Sequence, residues 1–269
     1  MNYRIISMDF DGTLLTSDKN VTEESKKILM KLKEKNYIIV GITARNLTSV
    51  KNVCDINMFN YLILNNGSSI YNVQNQKKIE MGNIDEKSIE KMTNYFENIA
   101  EEIDYCSLNK YYIYKNGTSK NKKYQIHINS LNEIEEAIAR INVFFKSNQE
   151  IYRCRDYVNY NFNNLIAFEM LDTDDGKNKK WLAINPKNVN KYNALERLCL
   201  TLNVSIDEVI FFGDSTNDLP LISKVGLGVA MGNALEEVKN QAKEITLSND
   251  KNGIARFLEK LNISINQNE

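Results

Sequence analysis

Glycine and proline are scarce in this chain of 269 residues, which contains 11 glycines and 2 prolines. Because these two residues interrupt helices and strands, their scarcity predicts that most of the chain lies in regular secondary structure. An excess of charge of one sign is also missing, since 34 lysines and arginines face 35 aspartates and glutamates. This balance argues against a strongly basic nucleic-acid binder and a polyacidic tail protein.

Long apolar runs and paired cysteines are absent as well. The longest apolar stretches, such as residues 37–42, have the length of a strand, whereas about 20 residues are needed to cross a bilayer. The amino-terminal segment reaches Asp9 and Asp11 where a secretory signal would continue its hydrophobic run, and no two of the four cysteines form a Cys-x-x-Cys pair. We therefore expect a cytoplasmic protein with reduced thiols and no membrane partner.

Both ends of the chain show the alternation of strands and helices that is typical of the α/β class. The predicted strands are residues 4–8, 37–42, 61–64, 208–212, 227–230 and 244–247. The predicted helices begin after Thr22 and at Asn46, Lys191, Ala234 and Gly253. Strands that are joined through helices imply a Rossmann-like parallel sheet core with helices on both faces.

The middle of the chain, residues 82–188, follows a different pattern. Two polar amphipathic helices are predicted there, at residues 86–101 and 133–145. The predicted strands of this segment are the tyrosine-rich runs 111–114, 124–128, 157–162 and 165–171. Helices beside adjacent strands indicate an α+β cap domain inserted into the core, which would then consist of residues 1–81 and 189–269.

The first strand ends in the run Asp9-Phe10-Asp11-Gly12-Thr13. In an extended backbone, residues i and i+2 share a face, so both carboxylates can enter one site at the carboxyl end of the strand. Gly12 permits the sharp turn that must follow. An acidic turn that only ends a strand is the competing interpretation, and a second acidic site makes it the weaker one.

That second site is Gly213-Asp214-Ser215-Thr216-Asn217-Asp218, which again follows a buried apolar strand. Carboxylates that crowd together raise one another's pKa values and repel each other. A bound Mg²⁺ would remove this repulsion, and oxygen atoms are the ligands that Mg²⁺ takes. Two acidic strand ends are therefore better explained by one metal site than by two independent turns.

Two weaker signals add a phosphate pocket. The run Gly41-Ile42-Thr43-Ala44-Arg45 closes the second strand just before a short helix, where the hydroxyl of Thr43 and backbone N–H groups near Ala44 can hold a phosphoryl oxygen. Lys191 opens the helix that follows the middle segment. Taken alone, a helix cap and a solvated lysine explain these residues better, but their position beside two acidic strand ends favours phosphate binding.

In this order, Asp-x-Asp-Gly-Thr, Thr43, Lys191 and Gly-Asp-x-x-Asn-Asp resemble the four motifs of the haloacid dehalogenase (HAD) superfamily. The runs 228–234 and 249–254 are similar to its Cof-type sugar-phosphatase branch, whose large class IIB cap corresponds to the segment 82–188. Ala44 and Tyr192 stand where the family often has glycine. Neither difference removes a reacting group.

The resemblance implies a Mg²⁺-dependent phosphatase that hydrolyses small phosphorylated metabolites, with sugar phosphates foremost, through an aspartyl-phosphate. Asp9 would be the nucleophile, and Asp11 would be the general acid and base as well as a metal ligand through its backbone carbonyl. Asp214 would complete the metal ligands and Asp218 would support them without binding the metal. The residues that would surround the phosphoryl group are Phe10 (through its backbone), Thr43, Ala44, Lys191 and Asn217.

Two other functions are compatible with the same motifs. A phosphotransferase that resembles phosphomannomutase would isomerise its substrate without net release of phosphate. A phospho-aspartate receiver also places acidic residues, a threonine and a lysine at strand ends, but it is a compact domain without an inserted cap. The substrate and the oligomeric state stay open.

The remaining conspicuous residues are predicted to be structural or solvated. His127, the only histidine, lies in a strand-like run, and Trp181 is expected to pack. The acidic run 172–176 is predicted to be a turn and the basic run 120–123 a solvated loop. The tyrosines expected to build the sheet of the cap are Tyr111, Tyr112, Tyr114, Tyr157 and Tyr160.

Overall fold

The computed structural model describes residues 3–114, 125–172 and 179–266 of the chain. The protein forms two compact units, which we call the core unit (Met1–Arg45, Val50–Ile79 and Asn190–Glu269) and the inserted unit (Asn46–Ser49 and Glu80–Val189). The basic run 120–123 and residues 173–176 of the acidic run lie outside the described residues. Within the described part of the chain, no helix combines the length and the apolar character needed to cross a membrane.

The secondary structure follows the chain in this order. The strands are β1 (Ile5–Met8), β2 (Ile38–Ile42), β3 (Tyr61–Leu64), β4 (Ser69–Asn72), β5 (Lys78–Glu80), β6 (Ala100–Cys106), β7 (Tyr111–Tyr114), β8 (Gln125–Ile128), β9 (Arg140–Phe145), β10 (Leu165–Asp172), β11 (Lys179–Pro186), β12 (Val209–Gly213), β13 (Leu227–Ala230) and β14 (Glu244–Ile245). The helices are α1 (Glu23–Glu34), α2 (Leu47–Lys51), α3 (Glu86–Phe96), α4 (Asn148–Asn161), α5 (Lys191–Leu202), α6 (Leu219–Lys224), α7 (Glu236–Gln241) and α8 (Gly253–Asn266).

The sheet of the core unit has the strand order β14-β13-β12-β1-β2-β3-β4-β5. Strand β1 lies at its centre and runs parallel to both neighbours, with Met8 opposite Phe212 and Gly41. Every residue of β1 and β12 is buried, as expected for strands of a parallel sheet that is covered on both faces. Strands β14, β13, β12, β1, β2 and β3 are parallel, so their carboxyl ends meet at one edge, whereas β4 is antiparallel to β3. The predicted α/β class is confirmed.

The helices of the core unit begin where the sequence provides caps. The hydroxyl of Thr22 accepts the backbone N–H of Ser25 at the start of α1, and Glu23 and Glu24 occupy the first turn. Helix α1 packs against α8, whereas α6 packs against α5 and α7, so the helices form two separate groups. Helix α5 begins at Lys191, as predicted.

The sheet of the inserted unit has the order β10-β11-β9-β6-β7-β8 and is antiparallel except between β7 and β8. One of its faces carries Ile103, Tyr105 and Val143, which pack in one core with Met92 of α3 and Ile151 of α4. The inserted unit therefore has a hydrophobic core of its own.

The helix predicted at residues 133–145 is wrong, because residues 140–145 form the strand β9. Ile141, Val143 and Phe145 point to the apolar face of the sheet, which gives the period of two that a strand requires. Ile134, Ile138 and Ile141 also have the spacing of a helix, so this segment fits both patterns. β-Branched and aromatic residues fit a sheet better than a helix.

The strand predicted at residues 157–162 is wrong as well, because it belongs to the helix α4. The hydroxyl of Ser147 accepts the N–H of Glu150 at the start of this helix, and Ile151, Cys154 and Val158 form its buried face. Tyr157 therefore stacks on Tyr95 of α3, with ring centroids 3.6 Å apart, rather than joining the sheet. Helix α3 is also shorter than predicted, since residues 100–106 form the strand β6.

Candidate active site

Two acidic strand ends meet at the centre of the core sheet. Asp9 follows β1, and its N–H donates to the carbonyl of Phe212 on β12 at 3.0 Å. The hydroxyl of Thr13 donates to Asp214 Oδ1 at 2.8 Å, which joins the loop after β1 to the loop after β12. Gly12 has a φ of 79°, and a Cβ atom there would lie 2.3 Å from Asp214 Oδ2. The close approach of these two loops thus requires glycine.

Lys191 connects both acidic segments. Its ammonium Nζ donates to Asp9 Oδ1 at 2.6 Å and to Asp218 Oδ1 at 2.7 Å, and Asn217 Oδ1 lies 3.5 Å away. The side chain is only 4% exposed. Burial alone would lower the pKa of Lys191, but the charges of Asp218 and Asp9 raise that pKa above its usual value. Lys191 is therefore a permanent buried cation between two carboxylates.

Asp9, Asp214 and Asp218 form a cluster in which one oxygen of each lies within 4.8 Å of the others. Burial raises the pKa of Asp9, and the charges of Asp218 and Asp214 raise it further while Lys191 opposes them. Burial also raises the pKa of Asp214 to about 6, against the hydrogen bond from Thr13. The cluster carries more negative charge than one lysine balances. This oxygen donor set therefore fits a hard divalent cation such as Mg²⁺.

Asp218 is fully buried and already engaged through both oxygens. Its Oδ1 accepts from Lys191, and its Oδ2 accepts the N–H groups of Asp214 at 3.2 Å and Ser215 at 3.3 Å. Asp9 and Asp214 consequently have more lone pairs available for a cation. Asp218 fixes the turn after β12 and orients Lys191, an arrangement that agrees with the supporting role the resemblance implies.

The carboxylate of Asp11 lies apart from this cluster and is paired with two basic side chains. It accepts hydrogen bonds from Arg45 Nε at 2.7 Å, from Arg45 Nη2 at 2.6 Å and from Lys19 Nζ at 3.1 Å. Burial would raise the pKa of Asp11, but the hydrogen bonds and charges of Arg45 and Lys19 lower it below its usual value. The carboxylate of Asp11 is therefore occupied by Arg45 and Lys19 and is not part of the acidic cluster. The sequence interpretation gave no role to Arg45 or Lys19.

The predicted phosphate-binding residues occupy different positions around the cluster. Thr43 follows β2, beside β1, and its hydroxyl accepts the N–H of Arg45 at 3.1 Å, which leaves the hydroxyl proton for another acceptor. Ala44 lies between them and is half-buried. Asn217 is exposed, and its Oδ1 accepts the hydroxyl of Ser215 at 2.5 Å, so its amide N–H groups can donate elsewhere.

The side chain of Phe10 is fully buried, and its ring stacks on Phe59 with centroids 5.5 Å apart. The ring is therefore part of the hydrophobic core, and the predicted contact of the Phe10 backbone with a phosphoryl group stays a prediction.

A sequence model of the haloacid dehalogenase-like hydrolases matches residues 6–258. The chain belongs to this family. This membership makes it a hydrolase and confirms the predicted HAD superfamily. A 5-amino-6-(5-phospho-D-ribitylamino)uracil phosphatase of Bacillus subtilis is 25% identical to this hydrolase over 96% of the present chain and 95% of its own.

Solved structures share the fold of this HAD-like hydrolase. A haloacid dehalogenase-like hydrolase from Bacteroides thetaiotaomicron superimposes with a TM-score of 0.81 at 21% identity, covering 97% of the present chain and 100% of its own. A second one, from Bacillus subtilis, gives a TM-score of 0.77 at 23% identity, covering 95% and 99%.

Two asparagines to which the sequence analysis assigned no role also hold the loop after β1 in this HAD-like hydrolase. Asn233 Nδ2 donates to the carbonyl of Gly12 at 2.8 Å, and Asn233 Oδ1 accepts the N–H of Asn249 at 3.0 Å. Asn249 Nδ2 in turn donates to the carbonyl of Leu15 at 2.9 Å. These asparagines lie in the runs 228–234 and 249–254, which carried the Cof-type resemblance. They fix the backbone that presents Asp9 and Asp11.

Proposed function

We propose that this HAD-like hydrolase is a Mg²⁺-dependent phosphatase that hydrolyses small phosphorylated metabolites, with sugar phosphates foremost, through an aspartyl-phosphate on Asp9. The observation that carries the proposal is the buried cluster in which Lys191 joins Asp9 to Asp218 beside Asp214. A nucleophile, a fixed cation and a candidate metal site thus occupy one edge of the sheet. Phosphoryl transfer depends mainly on such positioning and charge stabilisation.

In the first step, a carboxylate oxygen of Asp9 attacks the phosphorus atom and the bond from phosphorus to the ester oxygen breaks. Asp11 gives its proton to the departing alcohol oxygen. Lys191, the Thr43 hydroxyl, the Asn217 amide and backbone N–H groups near Phe10 and Ala44 stabilise the charge on the three other phosphoryl oxygens.

In the second step, water attacks the phosphorus of the aspartyl-phosphate while Asp11 accepts a proton from that water. Inorganic phosphate leaves, and the Asp9 carboxylate is restored. Arg45 and Lys19 favour the ionised form of Asp11, which is the form that this step needs. The proton taken from water here is the one that Asp11 gives to the alcohol in the next cycle. The first step needs the protonated form, so one residue must alternate between two protonation states.

The metal would be held by the carboxylates of Asp9 and Asp214 and by the backbone carbonyl of Asp11. When bound, Mg²⁺ neutralises charge between these carboxylates and the phosphoryl oxygens. Asp218 remains with Lys191 and the turn after β12.

The substrate class rests on the Cof-type resemblance and on the relative from Bacillus subtilis, whose name describes a phosphate ester of a polyhydroxylated ribityl chain. We propose that the inserted unit is the cap that selects the substrate, and that the reaction takes place in the cytoplasm, where the free thiols of the described cysteines stay reduced.

The proposal is tested by the release of inorganic phosphate from 4-nitrophenyl phosphate, with Mg²⁺ and then with an excess of chelator. Asp9→Asn should lower turnover by about 10³-fold or more, because the nucleophile is lost. Asp156→Asn, an exposed aspartate on α4, is the matched control and should retain wild-type turnover. Both variants should keep the wild-type circular dichroism spectrum.

Three outcomes contradict parts of this proposal. Turnover retained in Asp9→Asn would exclude the covalent step. An isomerised phosphoester without release of phosphate would indicate the phosphotransferase, and a long-lived phosphoprotein without turnover would indicate the receiver. Activity that persists in an excess of chelator would exclude a requirement for the metal.

A further inference from the structure

The sheet of the inserted unit has an apolar face and a polar face. Ile103, Tyr105, Ile141 and Val143 point to the face that packs against α3 and α4. Because side chains alternate along a strand, the residues between them point to the opposite face. The residues on that opposite face of β6, β9 and β11 are Glu102, Asp104, Cys106, Arg140, Asn142, Phe144, Trp181, Ala183 and Asn185.

Arg140, Asn142 and Asn185 lie on this polar face, are buried, and each have a side-chain atom without a hydrogen-bond partner. These atoms are Arg140 Nε, Asn142 Oδ1 and Asn185 Oδ1, and none has a partner among the described residues. The exposed fractions of the residues are 4%, 6% and 2%. Buried polar groups almost always have partners in folded proteins, since leaving them without one costs stability.

The three side chains are neighbours. Ala183 is paired with Asn142 and Ile184 with Ile141, so the next pair in this antiparallel register places Asn185 opposite Arg140. Arg140 and Asn142 are two residues apart on one strand and share its face. The three therefore form one patch, roughly 7 Å across. We call it the Arg140 patch.

The side chains around Arg140 provide no strong hydrogen-bond acceptor for the patch. Asn142 Nδ2 lies 3.4 Å and Arg140 Nη2 lies 4.0 Å from the sulfur of Cys106, which is a weak acceptor. Burial raises the pKa of the Cys106 thiol to about 12, so it is uncharged at neutral pH. The guanidinium carbon lies 5.9 Å from the Trp181 ring. Among the described residues, Arg140 forms no ion pair with a carboxylate, and the charge of Asp104 acts on it at longer range.

We propose that the Arg140 patch binds hydroxyl groups of a polyhydroxylated small molecule. A hydroxyl both donates and accepts, so it can give its proton to the Asn142 or Asn185 oxygen while it accepts from Arg140 Nε. A carboxylate has no proton for the amide oxygens, an ammonium group is repelled by Arg140, and an apolar ligand leaves all three atoms unpaired. Vicinal hydroxyls of a sugar or an alditol match the spacing of the patch.

Hydroxyl groups that bind to the patch can come from two kinds of molecule. The hydroxyls belong either to the alcohol part of the phosphoester that is hydrolysed, in which case the inference rests on the proposed function, or to a free polyol that is not turned over. The two sources are separated by comparing phosphorylated and unphosphorylated forms of the same compound.

The first experiment titrates the full-length protein with ribitol, D-glucose and myo-inositol, and with a monophosphate of each, by ligand-observed NMR. Asn142→Leu and Asn185→Leu replace the amide with an apolar group of similar size. Each should weaken binding by about five- to tenfold, the contribution of one hydrogen bond to an uncharged group. Two variants are used so that a folding defect in one leaves the test intact.

The second experiment measures the melting temperatures of the leucine variants. If the asparagines only stabilised the fold, these variants would melt at a lower temperature than the wild type. Removal of an amide whose oxygen has no partner should leave the melting temperature unchanged or raise it. Asn159→Leu is the matched control, because Asn159 Nδ2 donates to the Ala167 carbonyl at 3.0 Å and its Oδ1 accepts the Ala167 N–H at 2.8 Å. This variant should melt at a lower temperature and bind the ligands as the wild type does.

A third measurement takes the ratio of kcat/KM for a polyol monophosphate to that for 4-nitrophenyl phosphate. The ratio should fall about fivefold in Asn142→Leu, the share of one hydrogen bond, and stay at its wild-type value in Asn159→Leu. Weakened binding of the phosphorylated form alone assigns the patch to the substrate, and weakened binding of both forms assigns it to polyols in general.

If the wild type hydrolyses no phosphoester, the proposed function fails, while the unphosphorylated polyols still test the patch. The inference would be overturned if both leucine variants bound the polyols as the wild type does and kept its ratio of kcat/KM values. It would also be overturned if both variants melted at a lower temperature, as Asn159→Leu should.

Discussion

The two units each bury a cation, and the surroundings of these cations differ. Lys191 of the core unit donates to two carboxylates, Asp9 at 2.6 Å and Asp218 at 2.7 Å. Arg140 of the inserted unit forms no ion pair with a carboxylate among the described residues, and its Nε has no partner there. A reaction centre needs charges that are fixed before the substrate arrives, whereas a recognition surface keeps donors and acceptors for its ligand. The difference between the two cations supports the proposal that the core unit carries out the reaction and the inserted unit selects the substrate.

Replacing each buried cation with methionine should change the free energy of unfolding by very different amounts. Lys191→Met leaves Asp9 and Asp218 buried without their cation and should lower the free energy of unfolding by about 3–5 kcal/mol, besides abolishing turnover. Arg140→Met removes a charge that has no buried partner and should change that free energy by less than about 1 kcal/mol. Urea unfolding followed by circular dichroism measures both values.

Trp181, the only tryptophan, lies in the inserted unit, so its fluorescence reports the unfolding of that unit. Lys239→Met, which removes a half-buried partner of the exposed Glu236, is the control for loss of a lysine and should cost about 0.5 kcal/mol or less. Equal losses in the Lys191 and Arg140 variants would contradict the difference between the two cations.

The next effect concerns the excess of negative charge in the core unit. We expect Mg²⁺ to bind the folded carboxylate cluster and not the unfolded chain, so at a hundredfold excess over Kd it should stabilise the protein by about 2.7 kcal/mol. Asp214→Asn should remove most of this gain, and Asp207→Asn, on the exposed turn before β12, should retain it. Differential scanning calorimetry with and without Mg²⁺ measures the shift. An equal shift in both variants would place the ion elsewhere.

The sequence alone predicted the core unit far better than the inserted unit, for a physical reason. Strands such as β1 and β12 are buried on both faces and read as continuous apolar runs, and motif residues follow them directly. The grouping of Asp9 and Asp214 follows from parallel strands whose carboxyl ends meet at one edge. Lys191 is the first residue of α5 and was linked to them by the motif order. The pairing of Asp11 with Arg45 and Lys19 could not be predicted, because rotamers of long side chains leave no periodic signal.

The secondary structure of the inserted unit was harder to predict from the sequence, because its sheet is mostly antiparallel and one face is apolar while the other is polar. Ile134, Ile138 and Ile141 have helical spacing, although residues 140–145 form a strand. The usable signal was Ser147 followed by Glu150, a cap that predicts a helix start and therefore a strand end before it. Asn142 and Asn185 looked like ordinary polar residues, since their burial depends on strand register.

The buried thiol of Cys106 in the inserted unit should make the stability of the protein depend on pH. Burial raises the pKa of the Cys106 thiol to about 12, whereas a thiol in an unfolded chain ionises at about 8.5. Above pH 8.5 the unfolded chain loses its proton first, so stability falls as the pH rises towards 12. The loss from this thiol should reach about 2 kcal/mol at pH 10.

Cys106→Ala should remove that part of the slope, which urea unfolding at several pH values measures. Val143→Ala, on the apolar face of the same sheet, is the control for cavity formation. It should lower stability at every pH and leave the slope as in the wild type. An unchanged slope in Cys106→Ala would contradict the assignment of the pH dependence to this thiol.

The smallest expected effect tests whether the core chemistry depends on the asparagines that hold the loop after β1. Asn233→Ala removes the donor to the Gly12 carbonyl, and the loss of one such bond, about 1 kcal/mol, should lower kcat about fivefold with little change in KM. Asn233→Asp retains an acceptor for the Asn249 N–H but has no donor for Gly12, so it should lose as much as the alanine variant. Asn20→Ala, which removes a local bond to the Asp18 carbonyl in the same loop, should retain wild-type kcat. A kcat restored in Asn233→Asp would show that the bond to Asn249, rather than the bond to Gly12, positions Asp9 and Asp11.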